Sequence, residues 1–449
     1  MGKQLFGTDG VRGVAGEYPL DAATVHALGI ALGDSVRKVR DDPEVVIGMD
    51  TRESSPWIAR QVAGGLVSSG VRARFAGVTT TPGVAYLTRM HSFVAGVMIS
   101  ASHNPFRDNG IKVFSNSGYK LPDAEEHEIE REILALIERG VDAREAELPL
   151  DPGLDQHYIS FLGSTVTRSL RGLSIAVDCG NGAASALAPE LFEKLGARVF
   201  PICNQPDGRN INLGCGALDV NKLRDKVLET GAEIGVAFDG DADRAILVSH
   251  SGRIVNGDGV LLVVARSLHQ HRRLAAADGQ PNVVATVMSN LGLERALSAL
   301  GIKMLRTPVG DKYVLEEMLR VGAVLGGEQS GHIIFRDHAT TGDGILTALR
   351  VIDVMLEEGM GLDELTEGLE LYPQRLVNVR VSKKRKLEEL PEVVREINAA
   401  ESAFGDKGRV LVRFSGTEPL ARVMVEGPDD ARVEEYAGRI AAAIEHELS

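Results

Sequence analysis

The sequence predicts an α/β protein made of three related mixed-sheet α/β domains and a smaller C-terminal α+β domain. Three observations carry that prediction. A similar phrase recurs as Gly65-Leu66-Val67-Ser68-Ser69-Gly70-Val71, Leu191-Phe192-Glu193-Lys194-Leu195-Gly196-Ala197 and Ala296-Leu297-Ser298-Ala299-Leu300-Gly301-Ile302. Each reads as a helix closed by a glycine, the residue that most readily takes the left-handed conformation ending a helix. Upstream of each phrase lies an apolar run of strand length: Val45-Val46-Ile47-Gly48-Met49, Leu173-Ser174-Ile175-Ala176-Val177 and Val283-Val284-Ala285-Thr286-Val287. After Tyr372-Pro373 the rhythm changes, and the repeat is not seen again.

Strand, helix and strand in repeated order place helices on the faces of sheets, and ligands in such folds collect outside the carboxyl ends of strands. The first domain is expected over residues 1–153, ending at the turn-rich Leu150-Asp151-Pro152-Gly153, and carries the loop around Ser102. The second, 154–252, ends near Ser251-Gly252 and carries the acidic loop Asp239-Gly240-Asp241-Ala242-Asp243-Arg244. The third, 253–370, carries Arg306-Thr307-Pro308-Val309-Gly310-Asp311-Lys312-Tyr313 between strand and helix, and then Gly327-Glu328-Gln329-Ser330-Gly331-His332. The last, 371–449, opens with a period-two strand through Val377, Val379 and Val381, followed by a helix from about Leu387. Two more strands and a final amphipathic helix with Val433, Tyr436, Ile440 and Ile444 complete it. The basic run Lys383-Lys384-Arg385-Lys386 reads as a solvated turn before a helix.

Composition narrows the function. A length of 449 residues suits several domains rather than one core. A net charge of -14 argues against extended binding of nucleic acid or an anionic membrane surface, so an anionic ligand must be held by local cations. Cys179, Cys203 and Cys215 cannot pair completely and lack close metal-ligand spacing, which points to reduced thiols and no zinc site. The start, Met1 to Phe6, has no apolar signal core, Phe6 stands where a myristoylation signal wants Ser or Thr, and no stretch is long enough to span a bilayer. A cytoplasmic protein is expected.

Ser102 lies in Ile99-Ser100-Ala101-Ser102-His103-Asn104-Pro105, where the apolar run Phe93 to Ile99 gives way to loop. A free serine hydroxyl is a weak nucleophile and needs activation or an existing covalent group. Its neighbours are alanine and histidine rather than the glycines of a nucleophile elbow. Asp239, Asp241 and Asp243 alternate, so their carboxylates can converge, and a hard cation removes their mutual repulsion. A calcium loop fails because Arg244 replaces the turn glycine and His250 the bidentate glutamate, which leaves Mg²⁺ as the preferred ion.

Arg413-Phe414-Ser415-Gly416-Thr417-Glu418-Pro419 joins two strands, and its small residues can aim backbone N–H groups and hydroxyls at a phosphate, helped by Arg413 and Arg422. The same letters also suit an ordinary hairpin turn. Arg12, Lys112, Arg244 and Lys312 are cations in glycine-rich loops of an acidic chain, and His332 suits either a ligand contact or a structural imidazole. No Gly-Lys-Ser or Gly-Lys-Thr occurs, and Gly180-Asn181-Gly182 reads as a tight strand-to-helix turn rather than a dinucleotide fingerprint.

Taken together and in order, Gly7-Thr8-Asp9-Gly10-Val11-Arg12-Gly13, the Ser102 heptapeptide, Asp239 to Arg244, Gly327 to His332 and Arg413 to Pro419 resemble the loops of the α-D-phosphohexomutase superfamily, over essentially the whole chain. The resemblance implies four domains around a central cleft. It implies that Ser102 is carried as a phosphoserine and that Asp239, Asp241 and Asp243, with an oxygen at Ser102, hold one Mg²⁺ per subunit. Arg12, His103, Lys112 and Arg244 would serve proton transfer and charge stabilisation. Glu328, Ser330, His332 and Lys312 would meet the sugar, and Arg413, Ser415, Gly416, Thr417 and Arg422 would grip the phosphate that is not reacting.

The implied reaction converts glucosamine 6-phosphate and glucosamine 1-phosphate into each other through a sugar bisphosphate, which is also the activator, on the way to the cell-wall precursor UDP-N-acetylglucosamine. Gln329 and Ser100 favour this amino-sugar branch, since phosphomannomutase and phosphoglucomutase relatives more often carry methionine and threonine there. Those two activities are the alternative, and a non-catalytic sugar-phosphate sensor is a weaker one, because binding alone needs neither Ser102 nor the aspartates. A haloacid-dehalogenase-type mutase would want threonine or valine where Asp243 or Ala245 stands. Two departures stand out: Lys312 replaces an arginine common in relatives, losing the planar fork, and Leu213-Gly214-Cys215-Gly216-Ala217 is looser than the usual segment. The expected ligand is a hexosamine phosphate with no nucleic-acid or membrane partner, and a homodimer is left open.

Overall fold

Apolar runs of five or six residues bounded by turns are long enough for a buried strand and too short for a helix, and each of the three forms one. In the computed structural model, which describes residues 5–7, 9–274, 279–414 and 419–448, the chain forms two compact units. One runs to Met288 and resumes over Ile302–Glu367; the other comprises Ser289–Gly301 and the chain from Gly368.

The first unit holds three sheets with one plan. The first contains β1 Phe6–Gly7, β2 Gly10–Val14, β3 Glu44–Met49, β4 Arg72–Val78, β5 Ala95–Ile99 and β6 Asp108–Ser115, in the order β1-β2-β6-β5-β3-β4. The second contains β7 Ser174–Asp178, β8 Arg198–Ile202, β9 Ile234–Phe238, β10 Ala245–Ser249 and β11 Ile254–Val255, in the order β11-β10-β9-β7-β8. The third contains β12 Asn282–Thr286, β13 Lys303–Thr307, β14 Leu325–Gly327 and β15 Ile333–Phe335, in the order β13-β12-β14-β15. In each sheet the first apolar run is the middle of three parallel strands: β3 between β4 and β5, β7 between β8 and β9, β12 between β13 and β14. An antiparallel strand then follows beside the third: β6, β10 and β15.

This repeat places the chemistry. The turn from third parallel strand to antiparallel strand carries Ser102 in the first sheet, the three aspartates in the second and Glu328 to His332 in the third. The strands reach these turns through a fully buried interior, with Val45, Val46, Ile47, Val97, Val236, Phe238, Val283 and Val284 all without exposure. Each such side chain contributes roughly 1.5–3 kcal/mol relative to exposure, enough to hold a polar turn at a fixed height above the sheet. Gly70, Gly196 and Gly301 close the three helices with φ of 75°, 99° and 73°, as the repeated phrase required. Gly180 and Asn181 make the tight turn between β7 and the helix Ala184–Lys194.

The second unit contains β16 Gln374–Arg380, β17 Arg409–Phe414 and β18 Leu420–Glu426, antiparallel in the order β16-β18-β17. Val379, Val381, Val433, Ile440 and Ile444 are buried in its core, as the alternation and the final helix Asp430–Leu448 predicted. The helix expected from about Leu387 begins instead at Pro391 and runs to Phe404, after a single 3₁₀ turn over Leu387–Glu389. Proline lacks the N–H that a first helical residue leaves unbonded and presets its φ, so Pro391 rather than Leu387 starts the helix. Lys383 to Lys386 are exposed.

Candidate active site

Ser102 stands at the end of β5 in a left-handed backbone conformation, φ 52°, unusual for a residue with a side chain. The residue is 1% exposed, and its hydroxyl donates to Asp239 Oδ2 at 2.6 Å, with His103 Nδ1 at 3.3 Å. The backbone around it is held on both sides. Ser102 N–H donates to Ser100 Oγ, and Ser102 C=O accepts from Arg52 Nη2 and Asn212 Nδ2, each at 2.9 Å. The aspartate turn approaches closely enough that a side chain on Gly240 would sit 2.4 Å from Ser102 O, which requires glycine there.

Asp239, Asp241 and Asp243 each present a carboxylate oxygen within 4.8 Å of the others, and all three residues are buried. The turn is fixed from outside. Thr81 N–H donates to Asp241 O, Gly344 N–H donates to Ala242 O, and Thr81 Oγ1 donates to Asp241 Oδ2 at 2.5 Å. Burial, then the charges of Asp243 and Asp241, push the Asp239 carboxyl well above its ordinary range. Asp241 Oδ1 and Asp243 Oδ1 are buried and accept no hydrogen bond from any described residue. Two buried orphaned carboxylate oxygens beside a third carboxylate and a serine hydroxyl form a hard, all-oxygen donor set, which fits a divalent cation such as Mg²⁺.

Cations of the protein surround this cluster. Lys112, on β6 and 1% exposed, lies 2.9 Å from Asp241 Oδ2, 3.3 Å from Asp9 Oδ2 and 3.6 Å from Asp243 Oδ2. Burial opposes its charge, but those three carboxylates hold its ammonium well above the ordinary value. Arg244 is raised in the same way against its burial, chiefly by Asp243 and Asp239, and its backbone N–H donates to Asp239 Oδ1. Arg12, delivered by the pairing of β2 with β6, donates from Nη1 to Ala101 O at 3.0 Å and pairs with Asp9. His103 behaves oppositely: burial first, then Arg244 and Arg12, lower its pKa to about 4, so its ring is neutral at physiological pH.

His332 belongs to the same cluster. It is 2% exposed, accepts at Nε2 from Gly342 N–H at 2.9 Å, and turns Nδ1 toward Asp243 Oδ2 at 3.6 Å. Glu328, at the head of its turn, accepts from Gly310 N–H at 3.1 Å, while Ser330 is exposed. Lys312 is placed differently from its neighbours: its ammonium pairs with Asp123 at 2.7 Å and lies 3.9 Å from Glu316. From that loop it is Asp311 that reaches the network, pairing with Lys120 at 2.7 Å, which in turn meets Asp9 at 2.6 Å. In the second unit Arg413 and Arg422 are directly opposed across β17 and β18, and Arg413 is lowered by burial and then by Arg422. Like charges so placed repel, and an anion between them would reverse the sign. Ser415, Gly416 and Thr417 lie outside the described residues.

Several members of the network were not singled out in the sequence. Asp50 and Arg52 follow β3 directly, Thr81 follows β4, and Asp9 sits inside the motif from which only Arg12 was chosen. Polar residues at the carboxyl end of a parallel strand were the available signal. Asn212 gave none, since its reach to Ser102 depends on the path of the loop after β8. Cys179, Cys203 and Cys215 are free thiols; Cys203 and Cys215, distant in sequence, lie with Asp178 within 4.8 Å of one another, and both oxygens of Asp178 already accept backbone N–H groups from Gly180 and Gly216.

Four family profiles match the chain in succession: phosphoglucomutase/phosphomannomutase alpha/beta/alpha domain I over 3–139, domain II over 156–252, domain III over 256–372 and the C-terminal domain over 376–443. The chain is 60% identical to the phosphoglucosamine mutase of Solibacter usitatus, with all of both chains covered. It is 51% identical to that of Koribacter versatilis over 99% of this chain and 97% of the relative. Among solved structures, a phosphoglucomutase/phosphomannomutase family protein from Burkholderia thailandensis superposes with TM-score 0.80 at 24% identity, covering 98% of this chain and 97% of the other. The N-acetylphosphoglucosamine mutase of Aspergillus fumigatus, in complex with GlcNAc-6P and magnesium, superposes with TM-score 0.65 at 19% identity, covering 99% and 96%.

Proposed function

The chain belongs to the phosphoglucomutase/phosphomannomutase family of α-D-phosphohexomutases, and from that premise we propose that it is an isomerase interconverting glucosamine 6-phosphate and glucosamine 1-phosphate. The observation that carries the reading is the Ser102 hydroxyl, 2.6 Å from Asp239 in a buried cluster where Asp241 and Asp243 each keep an oxygen that accepts no hydrogen bond from the described residues. A binding protein has no use for that pairing, whereas phosphoryl transfer needs both a carrier oxygen and a place for charge to be neutralised.

In this reading Ser102 Oγ carries a phosphoryl group. It gives the group to the sugar 1-hydroxyl: the Oγ–P bond breaks as the O1–P bond forms, and the resulting bisphosphate turns over and returns its 6-phosphoryl group to Oγ. Asp239, Asp241 and Asp243 would hold Mg²⁺ with an oxygen at Ser102, and the ion when bound supplies positive charge to the transferring group. Lys112, Arg12 and Arg244 add fixed positive charge around Ser102. Of the groups around Ser102, His103 has a ring nitrogen 3.3 Å from Oγ, a placement from which it could exchange a proton with the reacting sugar hydroxyl. Glu328, Ser330 and His332 would orient the sugar. Arg413 and Arg422, with Ser415, Gly416 and Thr417, would grip the second phosphate. Lys312 is the least supported contact, because Asp123 already pairs with it.

The domain division 1–153, 154–252, 253–370 and 371–449, one Mg²⁺ per subunit, the bisphosphate as activator and a cytoplasmic place on the way to UDP-N-acetylglucosamine belong to the same proposal. Among the described residues no helix is long and apolar enough to cross a membrane. The test is turnover of glucosamine 6-phosphate and glucose 6-phosphate side by side at saturating Mg²⁺ and activating bisphosphate. Much higher kcat/KM for the amino sugar is expected. Equal values would replace this activity by the phosphomannomutase/phosphoglucomutase alternative.

A further inference from the structure

A buried guanidinium usually satisfies partners scattered over a core. Arg52 does not. Its side chain has no exposure, and all five of its N–H donors find acceptors: Nε reaches Asp50 Oδ2 at 2.8 Å, Nη1 reaches Pro105 O at 2.5 Å and Asp108 O at 3.1 Å, and Nη2 reaches Ser102 O and Asn104 O, both at 2.9 Å. Four of the five acceptors are carbonyls of the single turn from Ser102 to Asp108. The fifth, Asp50, also accepts from Ser100 Oγ at 2.7 Å, and that hydroxyl accepts from Ser102 N–H at 2.9 Å. A closed ring of hydrogen bonds therefore fixes both the N–H and the C=O of Ser102, whose φ of 52° is costly for a residue with a side chain.

From this arrangement, and resting on the reading of Ser102 as the phosphoryl carrier, we infer that Arg52 is a positioning residue for the reaction. It sets the direction in which Ser102 Oγ presents the transferring group to the aspartate cluster. Asp50 neutralises the guanidinium at 2.8 Å, so Arg52 adds geometry rather than net charge. A planar fork can hold four carbonyls at once, and a lysine ammonium, with three donors on a flexible stem, cannot. Misplacing a reacting group by about 1 Å costs roughly a hundredfold in rate.

The test is Arg52→Lys in the full-length, Mg²⁺-loaded enzyme. The expected result is a fall in kcat of about tenfold to a hundredfold, with KM for the sugar phosphate within about twofold of wild type and the pH profile unmoved. Wild-type kcat per folded molecule, with only a lower melting temperature, would make Arg52 a core residue and overturn the inference. Asp50→Asn/Arg52→Gln removes both buried charges together and guards against loss of folding from an orphaned carboxylate; it is expected to fold and show the same loss of kcat. Wild-type kcat in that variant, or failure of both to fold, rejects the positioning role. Ser102→Ala measured alongside separates the two ideas: activity retained there defeats the carrier reading, while an inactive Ser102→Ala beside a fully active Arg52→Lys defeats only this one.

Discussion

Asp241 meets three kinds of partner: the Lys112 ammonium, the Thr81 hydroxyl and the site where its unpartnered Oδ1 points among the other aspartates. Asp241→Asn keeps an acceptor for Lys112 and Thr81 and removes the anionic ligand, and Lys112 retains Asp9 and Asp243 nearby. The Mg²⁺ concentration for half-maximal activity should rise at least roughly tenfold, while melting temperature in chelator changes little. An unaltered Mg²⁺ titration would remove Asp241 from the metal site. Asp343 offers a second test at the level of a single group. Burial raises its carboxyl to about 6, partly offset by hydrogen bonds from Leu346 N–H and Tyr158 OH. A carboxyl with a folded pKa above its unfolded one binds its proton more tightly in the native state, so its stabilising contribution is complete below about 3.9 and is lost as pH rises through about 6. Asp343→Asn abolishes that loss. Melting temperature of the variant relative to wild type should therefore increase between pH 5 and pH 8, and a pH-independent difference would contradict the assignment.

At the scale of elements, function follows from one hairpin used three times: third parallel strand, polar turn, antiparallel strand. The turn between β9 and β10 can approach Ser102 O because Gly240 has no side chain, and a Cβ there would meet that oxygen at 2.4 Å. Gly240→Ala should therefore cost about 1–3 kcal/mol of stability and also displace Ser102 from Asp239, lowering turnover more than the stability loss explains. Calorimetry with activity per folded molecule decides it, and undiminished turnover would show that the two turns need not touch. Much of this element plan was legible. The runs at Val45, Leu173 and Val283 and the closing glycines at Gly70, Gly196 and Gly301 are local signals, because strand burial and left-handed caps are set by nearby residues. Strand order was not legible, since nothing in the run Ile234 to Phe238 tells which neighbour it pairs with. The helix start at Pro391 was missed although proline itself is the signal, because the apolar spacing extends back to Leu387.

For the whole molecule, the loops bearing Ser102, the aspartates and His332 were readable because each carries its residues in one short stretch. Arg52, Thr81 and Asn212 were not, since their roles arise only when neighbouring strands bring Arg52 to Ser102 and separate sheets bring Thr81 to Asp241 and Asn212 to Ser102. The pairing of Lys312 with Asp123 escaped for the same reason: the sequence shows a cation in a polar loop but not the acidic helix start that meets it. The central claim, that Ser102 carries the phosphoryl group, spans all of these parts. It is tested most directly by phosphopeptide mapping of the purified enzyme together with turnover by folded Ser102→Ala. Phosphate on Ser102 in a fraction of the wild-type molecules and almost no turnover in the variant are expected, with the variant still folded because the backbone bonds of the turn to Ser100 and Arg52 do not involve the hydroxyl. Substantial conversion of glucosamine 6-phosphate by folded Ser102→Ala would contradict it.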